Sequence, residues 1–399
     1  MILKKLQIIL AAVVICTVAA LFTAVWSLPA TSAATDQREA AHGMNFVINK
    51  VTGKAYLFWS DQYATGSTAS GNWTHDIFYQ EVDLRDPRVT KKHLLIHARE
   101  AQEPASVTCA SNGNFFVTFE DGNTVGHGGL SQRYAIYDKG LRAVKAYPQT
   151  IALGGHSGHG SCSGCRFVTL WNDEWVDGGG IGNLGTGRDI YVTSMNTDGS
   201  AKKTVAISKM KRDWWPLLAS TSRHSLLVWQ RYVKGQKYST ICYALFDPYS
   251  GRLCSIPGKA ARIQTLRDIK ARYYTYNVTY LPGIRRYVIN ITTSSNKGIM
   301  LLLSGNGKVI CRRTGLPPFV RESEPAVKSG RNAATLCYPR GSSGAFFVRV
   351  TADKISYLHG AKGTYNWNYR GTSGFFAADG KTACFATLTA AKVKIFKFK

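Results

Sequence analysis

Phe115-Phe116-Val117-Thr118-Phe119 runs directly into Glu120-Asp121-Gly122. Five consecutive aromatic or β-branched residues closed by an Asp-Gly turn pair describe a buried strand and its exit. The same signature returns as Ala55-Tyr56-Leu57-Phe58-Trp59, Phe167-Val168-Thr169-Leu170-Trp171, Leu226-Leu227-Val228-Trp229, Tyr287-Val288-Ile289-Asn290-Ile291, Ala334-Thr335-Leu336-Cys337-Tyr338 and Ala383-Cys384-Phe385-Ala386-Thr387. The copies follow one another at about 50–60 residues, close to the period of propeller blades.

A short strand and a turn precede each copy, and period-2 runs follow it. Asp76-Ile77-Phe78-Tyr79-Gln80-Glu81-Val82, Arg133-Tyr134-Ala135-Ile136-Tyr137 and Tyr243-Ala244-Leu245-Phe246 are examples, separated by turn pairs such as Asp198-Gly199, Ser250-Gly251 and Asp379-Gly380. The one helical pattern is Ala260 to Ala271, where Ile263, Leu266 and Ile269 recur every three residues. Many short strands at a long regular period predict an all-β chain, a seven-bladed β-propeller of four-stranded antiparallel blades. A two-sheet sandwich is the alternative, and the repeated blocks favour the ring. The last block stops after its third strand, Lys392 to Phe398, so the residues just before Asn45 are expected to supply its outer strand and close the ring.

Arg188-Asp189-Ile190-Tyr191-Val192-Thr193-Ser194-Met195-Asn196-Thr197-Asp198-Gly199-Ser200 resembles the third strand, turn and fourth strand of the blade repeat in exported propellers, TolB-like proteins and propeller lyases among them. The resemblance implies a fold and transfers no catalytic residue, because such repeats serve many functions. The Asp-box of sialidases, Ser-x-Asp-x-Gly-x-x-Trp, does not occur.

Lys4 and Lys5, an apolar run from Ile8 to Trp26 and the small residues Ala30-Thr31-Ser32-Ala33-Ala34 form the pattern of a secretory signal. Residues 1–34 are therefore expected to be a signal peptide, or else an N-terminal membrane anchor, and residues 35–399 a single propeller domain. The expected location is secreted, cell-surface or periplasmic. Of nine cysteines, eight follow Cys16. An even number in an exported chain predicts disulfides, with Cys242 to Cys254 across a hairpin and Cys162 to Cys165 as the candidate pairs.

The formal net charge is +26, with 50 Lys+Arg against 24 Asp+Glu. It is concentrated in one half: residues 200–399 hold 34 Lys+Arg and 7 Asp+Glu, whereas residues 35–199 hold 14 and 17. A lopsided cation outside the cytoplasm predicts an acidic partner, foremost an acidic or sulfated polysaccharide, with nucleic acid less favoured and a membrane involved only through the possible anchor. The ligand-binding candidates are Lys209, Lys211, Arg212, Trp214, Trp215, Arg262, Arg267, Lys270, Tyr273, Tyr274, Arg285 and Arg286, since guanidinium forks grip carboxylate or sulfate and rings stack on sugars. His156, His159, Cys162 and Cys165 in the run His-x2-His-x2-Cys-x2-Cys are candidate ligands for a possible zinc. His156, His159, Arg188 and Arg272 are the candidate catalytic set if the chain is an enzyme, a polysaccharide lyase before a glycoside hydrolase. A cell-envelope interaction scaffold is a further reading. Carboxylates beside the blade entrances (Asp61, Glu103, Glu120, Asp121, Asp173, Glu174 and Glu324) read as an acid/base set or as plain turn residues. Gly180-Ile181-Gly182-Asn183-Leu184-Gly185 matches G-x-G-x-x-G but lacks the helix that a dinucleotide fingerprint needs, so it reads as a rim loop.

Overall fold

The computed structural model describes residues 41–62, 75–98, 102–121, 130–183, 185–210, 212–340, 344–363, 371–389 and 392–399. Ala41–Ile48, Ala55–Gln62, His75–Val82 and His93–Ile96 pair in chain order into the first antiparallel sheet. Residues 102–153, 155–208 and 326–361 repeat that sheet, and residues 372–398 form a three-stranded one. The remaining sheet has eight strands and comprises two blades joined by one long strand, Ile263–Leu281. The first part of this strand, up to Ala271, lies along Ser239–Asp247, and its second part lies along Arg286–Thr293. Among the described residues the strands therefore make seven consecutive blades.

The apolar clusters show how the blades are arranged. Strand alternation sends Leu226 and Val228 to one side of blade 4 and Leu227 and Trp229 to the other. The first pair packs on Tyr287 and Ile289 of blade 5, the second on Val168 and Leu170 of blade 3. A separate cluster fills each remaining junction, from blade 1 against blade 2 round to blade 6 against blade 7. The seventh joins Met44, Leu57 and Trp59 of blade 1 to Phe375, Cys384 and Leu388 of blade 7. Seven junctions in cyclic order make a closed ring.

Polar side chains register the blades. Asn45 donates to the Ala105 carbonyl (2.7 Å) and accepts from the Val107 amide (3.1 Å). Ser106 accepts from the Gly160 amide at 2.9 Å, Gln230 from the Tyr274 amide at 2.9 Å, and Ser373 from the Phe46 amide at 3.0 Å. Gly43 permits one close approach: a Cβ there would stand 2.7 Å from the Ala105 carbonyl oxygen, at a φ of +68°.

Three expectations change. Ala41–Ile48 is the innermost strand of blade 1, paired with Ala55–Gln62, and not an outer strand of blade 7. The ring closes by face-to-face packing, including a Phe46–Phe375 stack at 4.3 Å. The Ala260–Ala271 segment is strand from Ile263 onward, not helix. Ile263 and Leu266 pair in regular register with Ala244 and Ile241 and so fall on opposite faces, toward blade 3 and blade 5. The register slips only beyond Leu266, where the five steps to Ala271 stand against two from Ile241 to Ser239. Eight cysteines are free thiols. Cys242 and Cys254 point to opposite faces of blade 4, Cys242 into the blade 3 junction and Cys254 onto the blade 5 junction, so no bridge joins them.

The innermost strands run side by side around the axis. The ends where they begin define the upper face here. Below it lies an axial cavity of about 880 Å3 lined by all seven of these strands. The signal or anchor expected in residues 1–34 lies outside the described residues; among those described, no helix is long and apolar enough to cross a membrane.

Asp213 anchors the start of the innermost strand of blade 4. It accepts two bonds from Arg231 (2.7 Å each), one from Trp229 Nε1 (2.8 Å) and one from Ser208. Asp213→Ala leaves a largely buried guanidinium and an indole N–H without their acceptor. The expected cost is about 3 kcal/mol, read as a lower urea midpoint with an unchanged slope.

Candidate functional site

Bulges near the upper ends of the innermost strands decide which side chains reach the surface. Register slips between His42 and Asn45, Glu103 and Ser106, Trp214 and Leu217, and Ala271 and Tyr276. Gly43, Trp215 and Tyr274 hold positive φ at three of these points, and Ser157 does so at a slip opposite Leu170 and Asn172. A bulge re-aims the chain and its side chains. It turns Trp214, Trp215 and Tyr274 inward, all 7% exposed or less. Trp215 meets Tyr274 edge-on at 4.6 Å and His159 at 5.2 Å. These rings fill the junction between blades instead of facing a polymer, which corrects their expected binding role.

Their neighbours form the candidate site. A cavity of about 560 Å3 opens on the upper face beside blades 4 and 5, lined by Tyr232, Lys237, Arg272, Tyr273 and Arg321 over a glycine floor. Arg272 is held by the Asn296 side chain (2.8 Å). Arg321 lies over the Tyr274 ring at 4.5 Å and pairs with Glu322 at 2.9 Å. Tyr273 donates its hydroxyl to the Gln236 carbonyl at 2.8 Å, and burial pushes its pKa up to about 12. No Asp or Glu occurs among the lining residues described.

The glycine run supplies the floor. Residues 181–183 form a single 3-10 turn, and strand Thr186–Asn196 follows, so there is no helix N-terminus to hold a phosphate. Asn183 accepts from the Gly179 amide at 2.6 Å. A Cβ at Gly179 would stand 2.8 Å from the Tyr232 ring, so glycine lets the loop lie against that ring. Arg212 fastens the loop from outside by donating to the carbonyls of Asp177 (2.9 Å) and Gly178, with its guanidinium 5.2 Å from the Tyr232 centroid.

The other candidates are dispersed. Lys209, Arg262, Arg267 and Lys270 are exposed around blades 3 and 4, with Lys270 over Tyr238 at 5.3 Å. Arg285 and Arg286 sit in a lower-face turn, where Arg286 donates to the Ala352 carbonyl at 2.8 Å. Lys211 lies outside the described residues. His156 is buried, bonded to Asn172 (2.7 Å) and to the Glu174 carbonyl (3.1 Å). Arg188 pairs with the Glu174 carboxylate at 2.7 Å. His156 and Arg188 thus meet through Glu174, while Arg272 belongs to the pocket.

His156, His159 and Cys162 lie along one extended strand, Gly155–Ser163, and Cys165 is in the turn beyond it. At about 3.3 Å per residue the first histidine and first thiol are too far apart to share an ion. Among the described residues no group of three or more His, Cys, Asp or Glu could hold a metal. Cys162 donates to the Gly164 carbonyl and Cys165 meets the Tyr249 hydroxyl at 3.5 Å, so these two thiols have separate partners as well.

The entrance carboxylates serve the fold. Asp61 pairs with Lys92 (3.2 Å), Glu103 with His75 (3.3 Å) and Asp121 with Arg133 (3.3 Å). Glu120 accepts from the Ser157 amide, and Asp173 from the Asp189 amide. Glu324 differs. Its side chain is exposed to the axial cavity and its carboxyl is bonded to Ser373 (2.9 Å), and the blades crowded around the cavity desolvate it and raise its pKa.

The sequence reading missed Tyr232, Lys237 and Arg321. Tyr232 and Lys237 stand at the end of one strand and in the connection after it, Arg321 lies far along the chain, and no local pattern marks the three as neighbours.

No family model matches the chain, and no curated protein matches it significantly. Among solved structures it is similar to a putative 6-phosphogluconolactonase from Bacteroides uniformis, with a TM-score of 0.51, 11% identity, and 87% of this chain and 92% of that one covered. An intramolecular trans-sialidase from Ruminococcus gnavus aligns with a TM-score of 0.41 and 8% identity over 90% and 94%. The NanB sialidase from Streptococcus pneumoniae aligns with a TM-score of 0.41 and 10% identity over 90% and 68%. At such identities the likeness to the first of these is one of fold alone.

Two outcomes follow from the thiols and from Glu324. In native protein a thiol reagent should label Cys165 first, and should reach Cys242, Cys337 and Cys384 only on unfolding, because burial covers them and raises their pKa. The denatured, unreduced chain should then show every one of these thiols. Glu324→Gln should raise the melting temperature at neutral pH by a small amount, because solvent in the cavity screens the exposed carboxyl. A carboxyl whose folded pKa is raised costs stability when ionised, and the cost fades as pH falls through the folded pKa. The gain should therefore vanish below the ordinary glutamate range of about 4.3.

Proposed function

We propose that this propeller binds an acidic polysaccharide, bearing uronate or sulfate groups, on its upper face around blades 4 and 5. One observation carries the reading: Lys237, Arg272 and Arg321 line a single pocket with Tyr232 and Tyr273 and with no carboxylate among its described lining. Guanidinium forks bind carboxylate and sulfate in plane, and the tyrosines offer flat apolar faces beside them. Two of the cations are already oriented by Asn296 and Tyr274, which lowers the entropy lost on binding. The surrounding half of the ring supports the same reading. Residues 200–399, which form blades 4 to 7 and the outer edge of blade 3, hold 34 Lys+Arg against 7 Asp+Glu, a field that draws a polyanion toward the pocket.

The pocket chemistry favours retention over cleavage. A lyase needs a base to remove the proton beside the uronate carboxylate. Tyr273 holds its own proton up to a pKa of about 12 and gives its hydrogen bond to Gln236. No histidine occurs among the described lining residues.

The test is retention on immobilised acidic glycans, eluted by salt. The wild type should bind at least one polymer and release it as ionic strength rises, since exposed charges are screened over about 10 Å at 0.1 M. Arg272→Ala with Arg321→Ala should weaken retention at least tenfold, with no new unsaturated ends absorbing in the ultraviolet. Retention on no glycan, or retention that ignores both substitutions, would sink the reading.

A further inference from the structure

The axial cavity has two unlike walls. Blades 1, 6 and 7 present Phe46, Ile48, Val327, Phe375 and Phe376. Ile48 is 42% exposed, although it belongs to an innermost strand. Blades 2 to 5 present hydroxyls and one amide, with Ser161, Ser220, Thr221, Ser222, Asn277 and Thr279 prominent, interspersed with Cys109, Leu218, Val278 and other non-hydroxyl residues. Lys50 and Glu324 are the lining groups of opposite charge, so the lining is close to neutral, unlike the cationic pocket above.

We propose that this cavity is a second ligand site, taking an uncharged sugar or short oligosaccharide that enters from the lower face. A pyranose ring carries C–H groups on its faces and hydroxyls around its rim. That division matches an apolar wall of phenylalanine and isoleucine facing a wall of serine and threonine. The volume of about 880 Å3 falls within the range of small-molecule sites, about 300–1,000 Å3. Ser222 lies exposed at the lower lip. Glu324 lies deeper, on the blade 6 side. Its carboxyl is open to the cavity and carries a hydrogen bond from Ser373. A carboxyl there can accept hydrogen bonds from neighbouring sugar hydroxyls, a paired contact that a non-polar ligand could not return. A polyanion is poorly matched to this wall, because Lys50 alone would balance it and Glu324 would oppose it. The site uses none of the residues of the upper pocket, so it stands or falls independently of the acidic-polysaccharide reading.

The experiment is calorimetric titration of the full chain with a panel of uncharged di- to tetrasaccharides built from glucose, mannose, galactose, xylose and N-acetylglucosamine. At least one should bind with a dissociation constant below the millimolar range. Ser222→Trp, which narrows the lip from an exposed turn, and Glu324→Leu, which removes the acceptor, should each weaken binding about tenfold. Circular dichroism melts check that both variants fold. Retention of acidic polymers should be unchanged in Ser222→Trp, which separates the two sites. Binding of no uncharged sugar, binding indifferent to both variants, or a preference for acidic oligosaccharides at this site would overturn the proposal.

Discussion

A four-stranded sheet standing alone exposes two apolar faces, and here each face is covered only by the next sheet. That mutual burial is the constraint on which everything else rests. Leu227 and Trp229 need blade 3, Leu226 and Val228 need blade 5, and no blade can be omitted without exposing two faces at once. At ~25 cal/mol per Å2 of buried apolar surface each junction contributes many kilocalories per mole. The hydrogen bonds from Asn45, Ser106, Gln230 and Ser373 contribute less energy. What they add is position, because each fixes one innermost strand against its neighbour.

The strands were legible because burial on both sides leaves a continuous apolar run, as in Phe115 to Phe119, and such runs recur at blade spacing. The shared strand Ile263–Leu281 was not legible. Both of its faces are apolar, so Ile263 toward blade 3 and Leu266 toward blade 5 combined with Ile269, beyond a register slip, to resemble one face of a helix. Bulges misled the reading of Trp214, Trp215 and Tyr274. An aromatic placed at a blade entrance looks exposed in sequence, and a positive-φ residue there turns the rings into the junction. Of the expected site residues, Arg272 from the catalytic set and Tyr273 from the ligand-binding set line the upper pocket. Their partners Tyr232, Lys237 and Arg321 come from chain segments up to 89 positions apart in the numbering of the chain, and only the ring brings them together. The cysteine pairing failed for a simpler reason. Hairpin proximity brings strands together, but alternation decides which face a side chain occupies, and Cys242 and Cys254 fall on different faces.

Charge follows the topology in a direct way. In a sequential ring, a stretch of sequence becomes a sector of the molecule. The skew between residues 35–199 and 200–399 therefore becomes one cationic flank and one nearly neutral flank, with no special folding needed to gather it. The upper pocket stands near the start of the cationic flank, where blade 4 meets blade 5.

That meeting point differs from every other joint in the ring. Blades 4 and 5 share the backbone of Ile263–Leu281, whereas blades 7 and 1 share no strand among the described residues. The toughest joint and the natural seam thus stand on opposite sides of the wheel. Heat or mechanical load would part Phe375 and Leu388 from Trp59 and Met44 while the fourth and fifth blades stayed together as a unit. The pocket carrying Arg272 and Tyr273 sits at the bend of the common strand. It would keep its shape while the far side of the ring breathes.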